Sequence, residues 1–286
     1  MKYIHTFWSK PLIEKSLNHY NKALEIILSN YAYSANCIHK INETIELYAD
    51  EYGAELLSFI PYDKVHIISG LENENKHFAA QIKFYALKDC ELGDVLIDGD
   101  LFILKPKVNE IIKNYKNYDL IYSFYEPSPY TLINKSRVEY YEHALKKINE
   151  YKITFEEPYY WPIKYEDYEW INASLMCFNN QELKKTYVEQ YFKHKEMLQH
   201  IDFDGFWPDI IIEQRFLTLL SNDYNKKALV EDFHYNPKAN DKAIEIGLTH
   251  LGELKERCFE HCYTLLKNEN ILLYNNVLNQ VSKYKK

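Results

Sequence analysis

Along the first half of the chain, short apolar runs rich in β-branched and aromatic residues alternate with longer stretches at helical spacing. Tyr3 to Trp8 reads as a strand, Thr44 to Ala49 as a second, Lys64 to Ile68 as a third and Asp94 to Asp98 as a fourth. Between them, Pro11 to about Asn30 reads as a helix with Leu12, Leu17, Leu24 and Ile27 inward. Further helices are expected over Ala32–Ile41, Gly53–Phe59 and Phe78–Leu87. Such alternation predicts an α/β fold with a mainly parallel sheet covered by helices on both faces.

The second half is less regular. Asp119–Phe124 reads as a strand, Ser136 to about Glu150 as a helix and Trp170–Phe178 as another strand. Pro158 and Pro162 stop any helix from crossing the segment between them. Helices are expected at Gln181–Met197 and Pro208–Leu220, then a strand near Ile244–Leu248 running into His250, then a last helix over Gly252–Leu266. No Pro-, Gly- or Ser-rich linker interrupts the 286 residues, so one domain is expected.

Composition narrows the function classes. A 47% hydrophobic, 27% charged chain is globular rather than disordered, and a net charge of −8 argues against general nucleic-acid binding. No apolar run is long enough to span a bilayer, and Met1 to Trp8 reads as a first strand rather than a leader peptide. The five cysteines are scattered; Cys258 and Cys262 share a helix face but lack two further zinc ligands at matching spacing. Buried reduced thiols and a cytoplasmic location are the expectation. The 27 tyrosines suit sugar contacts but also fit a general compositional bias.

The fourth apolar run ends in Asp98-Gly99-Asp100. Two carboxylates at the carboxyl end of a buried strand lie where open α/β sheets bind ligands, and they match the oxygen preference of Mg²⁺ or Mn²⁺. Asp-Gly is also a common turn signal, so a plain solvated turn stands beside the metal site. Four other segments carry chemistry. Lys83, on the preceding helix, offers positive charge to a phosphate or is a solvated lysine. Asn172-Ala173-Ser174 leaves room for a ligand or for tight packing. Glu213 and Gln214 offer polar groups to sugar hydroxyls or form an exposed turn. His250, followed by Gly252 and Lys255, can complete a cation's coordination sphere or be structural.

The order of these segments resembles a GT-A (Rossmann-like) glycosyltransferase, particularly the glycogenin and galactosyltransferase-like family. In that family a lysine helix precedes a strand ending Asp-x-Asp, and an Asn-Ala/Ser-Gly strand, which Asn172-Ala173-Ser174 matches loosely, an Asp-Gln pair and a His-x-x-Gly-x-x-Lys segment follow. His5-Thr6-Phe7-Trp8, Leu47-Tyr48-Ala49-Asp50 and Ile60-Pro61-Tyr62-Asp63 are also similar to bacterial glycosyltransferase-like proteins of polysaccharide loci. The resemblance covers about residues 3 to 260. It implies a single domain with a nucleotide-sugar half (1–125) and an acceptor half (126–286), and a metal-dependent, retaining transferase that uses a UDP-sugar. Asp98, Asp100 and His250 would bind Mn²⁺ or Mg²⁺, with Asp98 alternatively on the ribose. Lys83 and Lys255 would pair with phosphate, and His5 and Thr6 would line the nucleotide pocket. Asn172, Glu213 and Gln214 would orient the donor sugar. Tyr159, Tyr160, Trp161 and Trp170 could stack on a glycan or lipid-linked sugar acceptor, with peripheral membrane contact compatible.

The chain departs from the family where Glu213 replaces Asp, where the His-Gly-Lys segment is one residue shorter, and where the first strand lacks a threonine-rich loop. Two other readings remain open. One is a non-catalytic nucleotide-sugar or glycan-binding protein on the same scaffold. The other is a phosphatase of the haloacid dehalogenase type, although its Asp-x-Asp normally follows the first strand.

Overall fold

The computed structural model describes residues 1–126, 143–144, 146–156, 170–203, 208–209, 211–230, 243–251 and 255–285. The protein is a mixed α/β single domain built on a mostly parallel seven-stranded sheet flanked by helices. The strands are β1 (Tyr3–Phe7), β2 (Ile45–Ala49), β3 (Lys64–Ile67), β4 (Val95–Ile97), β6 (Leu120–Tyr122), β9 (Leu175–Phe178) and β10 (Lys226–Ala228). Their order is β3-β2-β1-β4-β9-β6-β10. Only β9 runs against its neighbours, pairing antiparallel with β4 and β6.

Every residue of β1, β4, β6 and β9 is buried, as expected of strands covered on both faces. Successive residues face opposite layers. Tyr3, Val95 and Ile97 join one apolar cluster, while Ile4, Leu96 and Met176 join the other. After β1 the chain adds β2 and β3 on one side and returns to place β4 on the other. This reversal between β1 and β4 opens a crevice at their carboxyl ends.

Several expectations change along the chain. α1 (Lys10–Ile13) and α2 (Leu17–Lys40) replace helices expected to part near Tyr31. No glycine or proline lies within α2, so nothing stops it before Asn42, which takes a left-handed φ of 58°. Residues 243–246 are helical, and the expected strand is instead β11 (Leu248–His250). Beyond the expected last helix, found at Lys255–Glu269, the chain adds another at Ile271–Tyr284.

The expected strand 170–178 is in fact two: β8 (Trp170–Ile171) pairs with β7 (Tyr125–Glu126), and β9 joins the main sheet. Of the expected helix 136–150, only residues 143–144 and 146–150 are described, and they are helical. Tyr159, Tyr160 and Trp161 lie outside the described residues. Trp170 is buried in β8 and has no face for an acceptor. Among the described residues no helix is long and apolar enough to cross a membrane. Among the described residues, Cys37, Cys90, Cys177 and Cys262 are buried and form no disulfide, as expected of them, while the side chain of Cys258 lies outside the described residues.

Candidate functional site

The Asp98-Gly99-Asp100 turn is held from three sides. The Leu101 N–H donates to the Asp98 carbonyl at 3.0 Å, closing a tight turn. The Asp98 N–H donates to the Ser174 carbonyl at 2.8 Å, just before β9. β5 (Leu101–Ile103) continues the turn and pairs antiparallel with β11, which sets His250 opposite Leu101. The Leu251 N–H then donates to the Asp100 carbonyl at 3.0 Å. Glycine is required in the turn because a Cβ on Gly99 would lie 2.2 Å from Cε2 of Tyr31. The Tyr31 hydroxyl in turn donates to the Thr6 carbonyl at 2.6 Å.

This framework gathers Asp98, Asp100 and His250 so that one ligand atom from each lies within 4.8 Å of the others. His250 Nε2 is 3.5 Å from Asp100 Oδ1. Its Nδ1 is buried without a hydrogen-bond partner among the described residues. Two carboxylates and one imidazole make a donor set that suits a divalent cation such as Mn²⁺ or Mg²⁺.

Lys83 stands beside the acidic pair. It is carried by the helix Gln81–Asp89, whose Phe84, Ala86 and Leu87 are buried and whose Phe84 ring stacks on Tyr191 at 3.5 Å. Its Nζ lies 2.6 Å from Asp98 Oδ1 and 2.6 Å from Glu213 Oε1, with the Ala173 carbonyl at 3.4 Å. Burial opposes the Lys83 charge, but the Asp98 and Glu213 carboxylates outweigh it and raise the lysine above its ordinary pKa. Lys83 is therefore a fixed cation between two anions.

Glu213 projects from a π-helical turn over Ile211–Arg215, followed by a short α-helix at Phe216–Leu220, so the expected continuous helix 208–220 is interrupted. Such turns often occur at functional sites. Asp209, four residues earlier, enters the same space. Its Oδ2 accepts the Ala80 N–H at 2.5 Å and its Oδ1 accepts the Tyr191 hydroxyl at 2.9 Å. Burial pushes the Asp209 carboxyl up to about 8. The sequence could have flagged Asp209 by its i, i+4 spacing to Glu213.

A cavity of about 720 Å³ opens from this cluster, a size typical of small-molecule sites. Thr6, Lys83, Asp98, Asp100, Asp209 and Glu213 line one end. One face of α2 forms a wall that carries Asn30, Ile27, Ile26, Ala23, Lys22 and His19, and Lys15, just before α2, also lines the cavity. That wall was invisible in the sequence, because α2 reads locally as an ordinary amphipathic helix.

Not every expected residue reaches the cavity. His5 is fully buried, with Nδ1 3.0 Å from the Tyr62 hydroxyl and Nε2 3.0 Å from Ser34 Oγ. Burial pushes it down to about 3, against the pull of Asp100, so it stays neutral. It supports the site from behind, since Ser34 Oγ donates to the Leu101 carbonyl at 2.7 Å. Asn172 also sits in a supporting layer. Its Oδ1 accepts the Ser174 N–H at 2.9 Å and the Ser123 hydroxyl at 3.1 Å. Asn172 thus shapes the turn whose carbonyls meet Lys83 and Asp98, and it does not line the cavity. Gln214 is half-buried beside Glu213 and likewise does not line it; its Oε1 is buried without a hydrogen-bond partner among the described residues. Lys255 begins a helix, but its side chain lies outside the described residues.

Among solved structures, the apo form of mouse xyloside xylosyltransferase 1 is similar at 12% identity and a TM-score of 0.40, over 80% of this chain and 84% of that one. No curated protein matches the sequence. The model of DUF6734, a family of unknown function, matches residues 1–284, and the chain belongs to that family.

Proposed function

We propose that this protein is a divalent-cation-dependent glycosyltransferase that moves a sugar from a nucleotide-sugar, with a UDP-sugar as the donor, to a glycan or lipid-linked sugar acceptor. The observation that carries this reading is the convergence of Asp98, Asp100 and His250 beside the Lys83–Glu213 pair, with Asp98, Asp100, Lys83 and Glu213 lining a cavity at the sheet's switch point. The family resemblance in the motifs agrees with it.

Asp98, Asp100 and His250 would hold Mn²⁺ or Mg²⁺, and a bound cation would neutralise charge on a departing nucleoside diphosphate. Lys83 adds a fixed positive charge at the same end, and Lys255 is a second phosphate partner in this scheme. Glu213 orients Lys83 and offers its remaining acceptor capacity to the donor sugar, with Gln214 next to it. Thr6 borders the nucleoside, while Asn172 acts by holding the turn at 172–174. Residues 1–125 supply most of the donor contacts and residues 126–286 the acceptor side. Transfer with retention of configuration, in the cytoplasm, completes the proposal.

The test is slow hydrolysis of a panel of UDP-sugars in Mn²⁺ by the wild type and by Asp100→Ala. Hydrolysis that Asp100→Ala abolishes supports the proposal. Equal rates in both, or no UDP binding at all, would sink it. UDP-sugar binding without turnover against a broad acceptor panel would favour a non-catalytic binding protein instead.

A further inference from the structure

Asn30 lies on the α2 face that walls the cavity, next in sequence to the tyrosine packed on Gly99. It is only 2% exposed, and its Oδ1 is buried without a hydrogen-bond partner among the described residues. Leaving an amide oxygen buried and unpaired costs free energy, and folded proteins keep few such groups. Its neighbours along the α2 wall cannot relieve it, because Ala23, Ile26 and Ile27 are apolar. A hydrogen-bond donor brought by a ligand can. The terminal torsion of asparagine is soft and roughly twofold, so either end of the amide can turn toward the cavity.

The surroundings narrow the ligand group. The cation triad and Lys83 mark the end of the cavity for a diphosphate, whose oxygens are acceptors and cannot satisfy Oδ1. Phe7, Trp8 and Ile27 give the cavity apolar walls that suit a flat ring. Thr6, whose carbonyl accepts the Tyr31 hydroxyl, ties this part of α2 to the carboxyl end of β1. We propose that Asn30 reads the nucleoside half of the donor, its amide oxygen accepting a hydrogen bond from a uracil ring N–H or a ribose hydroxyl. The inference rests on the nucleotide-sugar reading above.

The experiment titrates wild type and Asn30→Ala with UDP, N3-methyl-UDP and 2′-deoxy-UDP in Mn²⁺, followed by calorimetry. UDP affinity is expected to fall at least about tenfold in Asn30→Ala, the cost of losing one buried hydrogen bond. The melting temperature of the ligand-free variant should hold or rise, since an unpaired polar group has gone. Wild type should discriminate against the analogue that lacks the relevant donor, and Asn30→Ala should not; which analogue it is separates base from ribose.

Undiminished UDP affinity in Asn30→Ala overturns the inference. So does a loss seen with a UDP-sugar but not with UDP, or discrimination that both proteins share. If Asn30→Ala melts well below wild type, the near-isosteric Asn30→Leu repeats the comparison under the same criteria. A wild type that binds no UDP in Mn²⁺ brings down the nucleotide-sugar reading and this inference together. Retained UDP binding with no response at Asn30 defeats the inference alone.

Discussion

The two flanks of the central sheet obey different rules. On one side, β3-β2-β1-β4 are parallel and follow one another through helical crossovers. On the other, β9 is wedged antiparallel between β4 and β6, and the connections include a π-helical turn. The regular flank supplies Lys83, Asp98 and Asp100 on and between elements that local pattern alone defines. The irregular flank supplies Asp209, Glu213 and His250, and positions them through contacts distant in sequence. The candidate site exists only where the two meet.

The largest expected effect separates the contributions of the flanks to cation binding. Asp100→Ala should weaken Mn²⁺ binding at least ~100-fold by paramagnetic resonance titration, since even outer-shell changes cost 10–100-fold. His250→Ala should follow it. If His250→Ala binds Mn²⁺ like wild type, the regular flank holds the ion alone and the comparison breaks.

Next in size is the ion cluster that ties the flanks together. Lys83→Met leaves the Asp98 and Glu213 carboxylates facing each other without their shared cation, with side chains only 29% and 10% exposed. A loss of about 2–3 kcal/mol in urea unfolding is expected. Adding Glu213→Gln should recover part of it, and no recovery would mean that Glu213 is held by other contacts.

Gly99→Ala tests the regular flank alone. The new Cβ would strike the Tyr31 ring, and a loss of about 1–2 kcal/mol should follow. Combining it with Tyr31→Ala should remove most of the additional penalty. An unaffected Gly99→Ala would show that the Tyr31 ring can move aside.

The smallest net effect in the wild type is in the slopes of stability against pH, where the flanks act in opposite senses and largely cancel. His5, on the regular side, is held at about 3 against 6.5 unfolded, chiefly by burial. Its contribution is therefore full above pH 6.5 and drains as pH falls toward 3. Asp209, on the irregular side, is held at about 8 against 3.8, again chiefly by burial. Its contribution is full below pH 3.8 and drains as pH rises toward 8. Each would change the folding equilibrium by up to roughly tenfold per pH unit within its window, and the two oppose each other between 3.8 and 6.5. Between pH 3.8 and 6.5 the urea midpoint should fall with rising pH in His5→Phe, which keeps only the Asp209 contribution, and rise in Asp209→Asn, which keeps only that of His5. Parallel profiles for the two variants would show that neither burial controls the acid–base balance of the fold.

Much of the regular flank could be read from the chain. β1, β2, β3 and β4 fall within a residue or so of their expected positions because each is a short apolar run bounded by polar residues or turns. Asp98, Asp100, His250, Lys83 and Glu213 were also legible as candidates, since charged groups beside apolar runs stand out. The split of 170–178 was not. Trp170 to Phe178 is a continuous run of mostly apolar residues, and only the Asn172 side chain, by accepting the Ser174 N–H and the Ser123 hydroxyl, turns the chain between two sheets. His5 was misplaced for a related reason. A polar residue near the end of a strand looks like a ligand group until Tyr62 and Ser34 are found bonded to both ring nitrogens.

By itself, then, the sequence determined the α/β character, the parallel strands β1 to β4 and the acidic turn at Asp98-Gly99-Asp100, because periodicity and turn chemistry act over a few residues. The tertiary structure alone decided the antiparallel placement of β9, the pairing of β5 with β11 that brings His250 to Asp100, the sharing of Lys83 between Asp98 and Glu213, and the use of α2 as a cavity wall. These depend on which faces meet across the sheet, and on the burial that makes an ion pair or an unpaired amide count, neither of which is encoded within any one segment.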